Sequence, residues 1–210
     1  MIKFLYLSFP IFLCLLFPAC LTKVKNARSN AGTVKTESYS STEQMEDQTH
    51  PLFSAAIFGN EETVVRLLQS NTNPNMRAKD GSTALIYASR NGYVSIVNQL
   101  LSAKADPNLK NDDHKTALIW AAFNGFPDVC DLLLKNRANI DWQDRLGASA
   151  LMYAASNGHV KVVEILLSYK ANVHLQDQFG GTAMTEAMQE GHSQVVALLT
   201  RAGAKPPNAP

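Results

Sequence analysis

Cysteine is scarce in this sequence, and its placement excludes two chemistries at once. Only Cys14, Cys20 and Cys130 occur in 210 residues. The first two lie in or at the end of an N-terminal apolar run, so the main body holds a single thiol and cannot close an internal disulfide. No C-x-x-C pair exists and the five histidines are scattered, so the ligand spacing of a structural zinc site is missing. Positive charge is not in surplus either. Upstream of Thr49 there are five Lys or Arg and four Asp or Glu; from Thr49 onward there are fourteen of each. Proteins that grip nucleic acid displace counterions with a basic excess, so no nucleic-acid partner is expected. The overall composition is that of a globular chain.

The densest hydrophobic run is N-terminal. Lys3 precedes apolar residues from Phe4 to Leu21, the layout of an export signal with a short charged region before a hydrophobic one. The end of the run, Phe17-Pro18-Ala19-Cys20, resembles a bacterial lipobox, in which a small residue precedes the cysteine that becomes lipidated. Ala19 and Cys20 match it; Phe17 and Pro18 stand where Leu and Ala or Ser are usual. The resemblance implies a lipid anchor at Cys20 and a location at the bacterial cell envelope, facing the periplasm. Two alternatives stay open. One is a plain cleaved signal with secretion. The other is an uncleaved membrane helix, for which the stretch is just long enough, with Lys23, Lys25 and Arg28 behind it. Residues 1–20 are thus assigned to a signal or anchor segment. Residues 21–48 are rich in Ser, Thr, Asn, Lys, Glu and Gln, without apolar periodicity. Such a segment cannot bury enough apolar surface to offset its ordering entropy. It reads as a disordered linker with a root-mean-square reach of roughly 30 Å.

Beyond it the sequence repeats itself. Segments that begin at His50, Thr83, Thr116, Ser149 and Thr182 are spaced 33 residues apart and share their pattern. Thr83, Thr116, Ser149 and Thr182 carry hydroxyls able to accept from free N–H groups at a helix start. Leu52, Leu85, Leu118, Leu151 and Met184 form an apolar column, and Ala55, Ala88, Ala121, Ala154 and Ala187 a small one suited to close helix approach. Gly59, Gly92, Gly125, Gly158 and Gly191 close the first helix. A second helix follows, with apolar residues three and four apart, as in Val162, Val163, Ile165, Leu166 and Leu167. Asn- and Asp-rich turns end each unit.

A 33-residue unit with a T-x-L start, an internal Ala, a G-H pair (Gly158-His159, Gly191-His192), a V-V-x-x-L-L run and an A-D-x-N loop resembles the ankyrin repeat. The resemblance covers residues 49–205. It implies an all-α ankyrin-repeat solenoid of about five helix-turn-helix units with extended hairpin loops, at about 49–78, 79–111, 112–144, 145–177 and 178–205, followed by a tail, 206–210. The sequence departs from the family where T-P-L-H becomes T-A-L-I, S-A-L-M and T-A-M-T, so the inter-repeat histidine of that motif is gone and packing must replace it. The glycine usual after the second helix is Asn71, Lys104, Arg137 and Lys170 in four repeats, and Gly203 in the last. A left-handed non-glycine there costs on the order of 1 kcal/mol, so either strain or a shifted helix end is expected.

Residues that could suggest catalysis belong to repeat columns. Cys130 shares its column with Val64, Val97, Val163 and Val196 and reads as core. Asp144 and Asp177 recur at loop positions and are expected to bond their own turns. No catalytic group, cofactor or metal site is assigned, and a non-enzymatic monomer is expected. The resemblance implies instead a protein partner, held by the hairpin tips and the concave face of the first helices. By column the tips include Lys79, Asp80 and Ser82; Asp112, Asp113 and Lys115; Leu146; and Phe179. The helix positions are Arg90 and Asn91, Phe123 and Asn124, Ser156 and Asn157, and Gln189 and Glu190. Tyr87, Trp120 and Tyr153 align as three successive aromatics, a composition enriched where partners bind; packing along the stack is the competing explanation. The partner-binding assignment is therefore Tyr87, Arg90, Asn91, Asp113, Trp120, Phe123, Asn124, Leu146, Tyr153, Asn157 and Phe179. The membrane enters only through the N-terminal segment.

Overall fold

Hydroxyls start the helices, as their spacing suggests. In the computed structural model, which describes residues 50–205, Thr83 Oγ1 accepts from the N–H of Ile86 (3.3 Å), and Thr116, Ser149 and Thr182 do the same three residues on. His50 opens the first repeat instead, its Nδ1 accepting from Leu52 N–H at 3.1 Å. Ten helices follow among the described residues: α1 (Pro51–Phe58), α2 (Glu61–Gln69), α3 (Ala84–Arg90), α4 (Val94–Ser102), α5 (Ala117–Asn124), α6 (Pro127–Lys135), α7 (Ala150–Ser156), α8 (Val160–Ser168), α9 (Ala183–Gln189) and α10 (Ser193–Arg201). The signal or anchor segment with Cys20, the linker and the tail at 206–210 lie outside the described residues.

Odd-numbered helices pack on one another in sequence, α1 on α3, α3 on α5, α5 on α7 and α7 on α9. Even-numbered helices form a parallel second layer. The substantial helix contacts are within a repeat or between adjacent repeats. The structure is therefore an all-helical solenoid. Its core is the set of repeat columns: Leu85, Leu118, Leu151 and Met184 are buried, as are Ala88, Ala121, Ala154 and Ala187 and the second-helix residues Leu100, Leu133, Leu166 and Leu199. Cys130 is fully buried among them, and burial pushes its thiol up to about 12.

Two devices lock repeat to repeat. Each first helix ends in a left-handed glycine, and in four repeats a ring from the next repeat lies directly beneath: Tyr93 under Gly59, Phe126 under Gly92, His159 under Gly125 and His192 under Gly158. The histidines also donate from Nε2 to the carbonyls of Phe123 and Ser156, both at 3.0 Å. The polar tie lost from the T-P-L-H position is thus supplied from the G-H position. The second device concerns the missing glycines. Asn71, Lys104, Arg137 and Lys170 do adopt left-handed backbone, with φ of 60–67°, so the helix ends are not shifted. Asn75 and Asn108 donate to the carbonyls of Lys104 and Arg137 and accept from the N–H groups of Asp106 and Asn139. These clasps from the preceding repeat hold two of the strained corners.

Candidate functional site

The hairpins between repeats carry the site's outer rim. Asn111, Asp144 and Asp177 each accept from two N–H groups of their own turn, for Asp144 those of Leu146 (2.9 Å) and Ala148 (3.0 Å). These side chains build turns, as their spacing indicates. Tip N–H groups then bond the previous tip: Asp112 to the Asp80 carbonyl, Arg145 to that of Asp113 and Gln178 to that of Leu146. The rim is thus a continuous hydrogen-bonded edge. Phe179 stands 78% exposed and Leu146 48% exposed on it, with Asp113 also exposed. Ser82, grouped with the tips by column, is buried instead: it donates through both N–H and Oγ to the carboxylate of Asp80.

Behind the rim lies the aromatic row on α3, α5 and α7. Trp120 and Phe123 meet edge to face with ring centres 5.9 Å apart, and Phe123 meets Tyr153 in the same way at 5.5 Å. Tyr87 contacts Phe53 at 6.1 Å. All four rings of the row are half-buried. The row is built into the stack and reaches solvent at the same time, so packing and exposure coexist. The hydroxyls serve the fold: Tyr87 donates to Asp80 (2.9 Å) and Tyr153 to Asp144 (2.7 Å). Burial and the adjacent Asp80 push the Tyr87 phenol up to about 12, and burial with Asp144 raises that of Tyr153. Burial works against the charge of Asp80, but the Ser82 and Tyr87 donors outweigh it and hold the carboxyl below its ordinary range.

Trp120 differs from its neighbours. Its indole Nε1 is out of water and donates to no acceptor among the described residues. An orphaned buried donor costs about 1–3 kcal/mol, a cost that phenylalanine would avoid. The Arg90 guanidinium lies 4.6 Å over the Trp120 ring centre.

Sequence reading did not find the charged cluster beside this row. Lys115 donates to both Asp144 and the Tyr153 hydroxyl, and the Asp144 side chain is almost wholly out of water. Burial again opposes ionisation of Asp144, but Lys115, Tyr153 and the Ala148 N–H together lower its pKa. The exposed Phe58, 78% accessible at the end of α1, was also missed. It occupies the column of Asn91, Asn124 and Asn157, and that shared column was the signal available. The three asparagines themselves are largely spoken for. Their amides donate to the carbonyls of Ile57, Trp120 and Tyr153, finishing or bridging the first helices.

A family model described as ankyrin repeats matches residues 29–111, 52–144, 91–177 and 118–208. The chain belongs to the ankyrin-repeat family. No curated protein matches it in sequence. Ankyrin repeats are generally protein-protein interaction modules and typically non-catalytic. In this ankyrin-repeat chain the first-helix face carries the aromatic row and the hairpins carry the exposed Leu146 and Phe179. No group of three or more His, Cys, Asp or Glu placed to hold a metal occurs among the described residues, and no described helix is long and apolar enough to cross a membrane.

Proposed function

We propose that this ankyrin-repeat chain is a non-catalytic module that binds a protein partner through its first-helix face and hairpin tips, chiefly by the three middle repeats. It works at the cell envelope, tethered through Cys20. The observation that carries the binding site is the aromatic row, above all Trp120. A core needs apolar filling, not an indole whose N–H is stripped of water and left without an acceptor. Large, half-buried aromatic rings, flanked by exposed Arg90 and Leu146, have the composition of a binding hot spot. The envelope location is supported by the sequence alone: the Lys3 and apolar-run layout ending at Ala19-Cys20, and a linker long enough to hold the repeats away from a bilayer.

Co-purification from detergent-solubilised membranes, with identification by mass spectrometry, gives the partner. Trp120→Ala and Phe123→Ala then test the site. Each is expected to weaken partner binding at least about tenfold while the helical circular-dichroism spectrum is retained. Full binding by both folded variants contradicts the assignment. Inhibition of lipoprotein signal peptidase tests the tether separately: a larger precursor is expected to accumulate, and an unchanged size contradicts lipidation at Cys20.

A further inference from the structure

A cavity of about 370 Å³ opens where the hairpins of the second and third repeats meet their first helices. That is at the small end of the roughly 300–1,000 Å³ of ligand pockets. Its walls combine two aromatic side chains, Tyr87 and Trp120, with three carboxylates, Asp80, Asp112 and Asp113, and one cation, Arg90. Three negative charges against one positive leave the cavity at −2 when all four are ionised. Asp80 has its oxygens engaged by Ser82 and Tyr87. The side-chain carboxylates of Asp112 and Asp113 form no ion pair and accept no hydrogen bond among the described residues; both are exposed at the mouth.

We propose that this cavity receives the side chain of a lysine or arginine presented by the protein partner. The inference rests on the concave-face reading above and sharpens it. Charge complementarity selects the occupant. An anion would meet three carboxylates, and an apolar side chain would strip water from them without replacing it. A cation is attracted by the carboxylates and can donate charge-assisted hydrogen bonds to them. The Trp120 ring already carries the chain's own cations, with the Arg90 guanidinium 4.6 Å and the Lys115 ammonium 6.0 Å from its centre, so the draw on an incoming charge falls to the carboxylates. The remaining unpaired charge, on Asp112 and Asp113, lies at the mouth, where an incoming side chain passes first.

The chain has two tryptophans, so its nitrogen-15 spectrum shows two indole N–H signals, and Trp142→Phe assigns them. Trp142 donates to the His114 carbonyl at 2.8 Å and is not among the cavity's lining residues, which makes it an internal reference. The probes are the capped tripeptides Gly-Arg-Gly and Gly-Lys-Gly, with Gly-norleucine-Gly as the uncharged control, titrated into the full chain. A saturable shift of the Trp120 signal at about millimolar concentration is expected with either cationic peptide. The Trp142 signal should stay in place, and norleucine should have no effect. Asp112→Asn combined with Asp113→Asn should weaken the response about fivefold or more. An equal response to norleucine overturns the proposal, as does undiminished binding in the double variant or a matching shift of Trp142. If Trp120→Ala and Phe123→Ala abolish partner binding while the cationic peptides leave Trp120 unmoved, this inference falls and the concave-face reading stands. If those variants keep the partner, the concave-face reading falls and the inference with it.

Discussion

Asp144 shows how one side chain serves turn, stack and charge together. Its Oδ1 caps the hairpin through the N–H groups of Leu146 and Ala148, while its Oδ2 accepts from Tyr153 and pairs with Lys115 of the preceding hairpin. Asn111 makes the same turn in the neighbouring repeat. Asp144→Asn should therefore keep the hairpin through its amide oxygen but lose the charge and the acceptor at Oδ2, leaving Lys115 half-buried without its partner. A loss of about 1–3 kcal/mol at pH 7 is expected. The pH dependence has a definite sign. The folded-state pKa of Asp144 is depressed, so its contribution is complete above the unfolded value of about 3.9. It is lost as pH falls through the folded value. Urea midpoints for the variant and its parent should differ most at neutral pH and draw together as the pH falls below about 3.9. A gap that stays constant or widens in acid would show that the charge is not what stabilises the cluster.

At the scale of the element, the seams between repeats carry the fold. Gly158 and Gly191 occupy the same left-handed corner, with φ of 69° and 76°. Replacing either by alanine incurs the left-handed penalty of about 1–2 kcal/mol. Only at Gly158 does the added carbon fall 2.6 Å from the His192 ring; at Gly191 it meets nothing among the described residues. Gly158→Ala should thus cost a further 1–3 kcal/mol or so through forced displacement of that ring, and denaturant unfolding of the two variants measures the difference. Equal costs would mean that ring-under-glycine stacking contributes nothing. Much of this seam was legible in advance. Column repetition located the caps, the glycines, the buried cysteine and the turn-forming Asp144 and Asp177. It also exposed the four missing glycines, whose replacements do take up left-handed backbone. What it could not supply was contact across repeats between unlike columns. Lys115 aligns with Ser82, Ala148 and Gly181, none of which carries charge, so nothing in the spacing paired it with Asp144 and Tyr153, 29 and 38 residues away. The amides of Asn91, Asn124 and Asn157 looked free for a partner for the same reason. A column shows that a position faces the groove, and the structure shows that those amides already bond backbone carbonyls.

Across the described repeats, stacking is nearly one-dimensional, with each repeat answering to its neighbours. Such a stack puts equivalent positions side by side, and that is how Tyr87, Trp120, Phe123 and Tyr153 come from three repeats to one surface. The core columns hold that surface rigid, so its side chains are free to vary with the partner. The proposed binding surface is this face, and not the second-helix layer. Photo-crosslinking tests it most directly. A benzophenone amino acid replaces Phe123 in one chain and Glu164, exposed on α8, in another, and the partner identified from solubilised membranes is offered to each. A covalent adduct is expected from position 123 and none from position 164; an adduct from position 164 alone would place the partner on the second-helix layer instead.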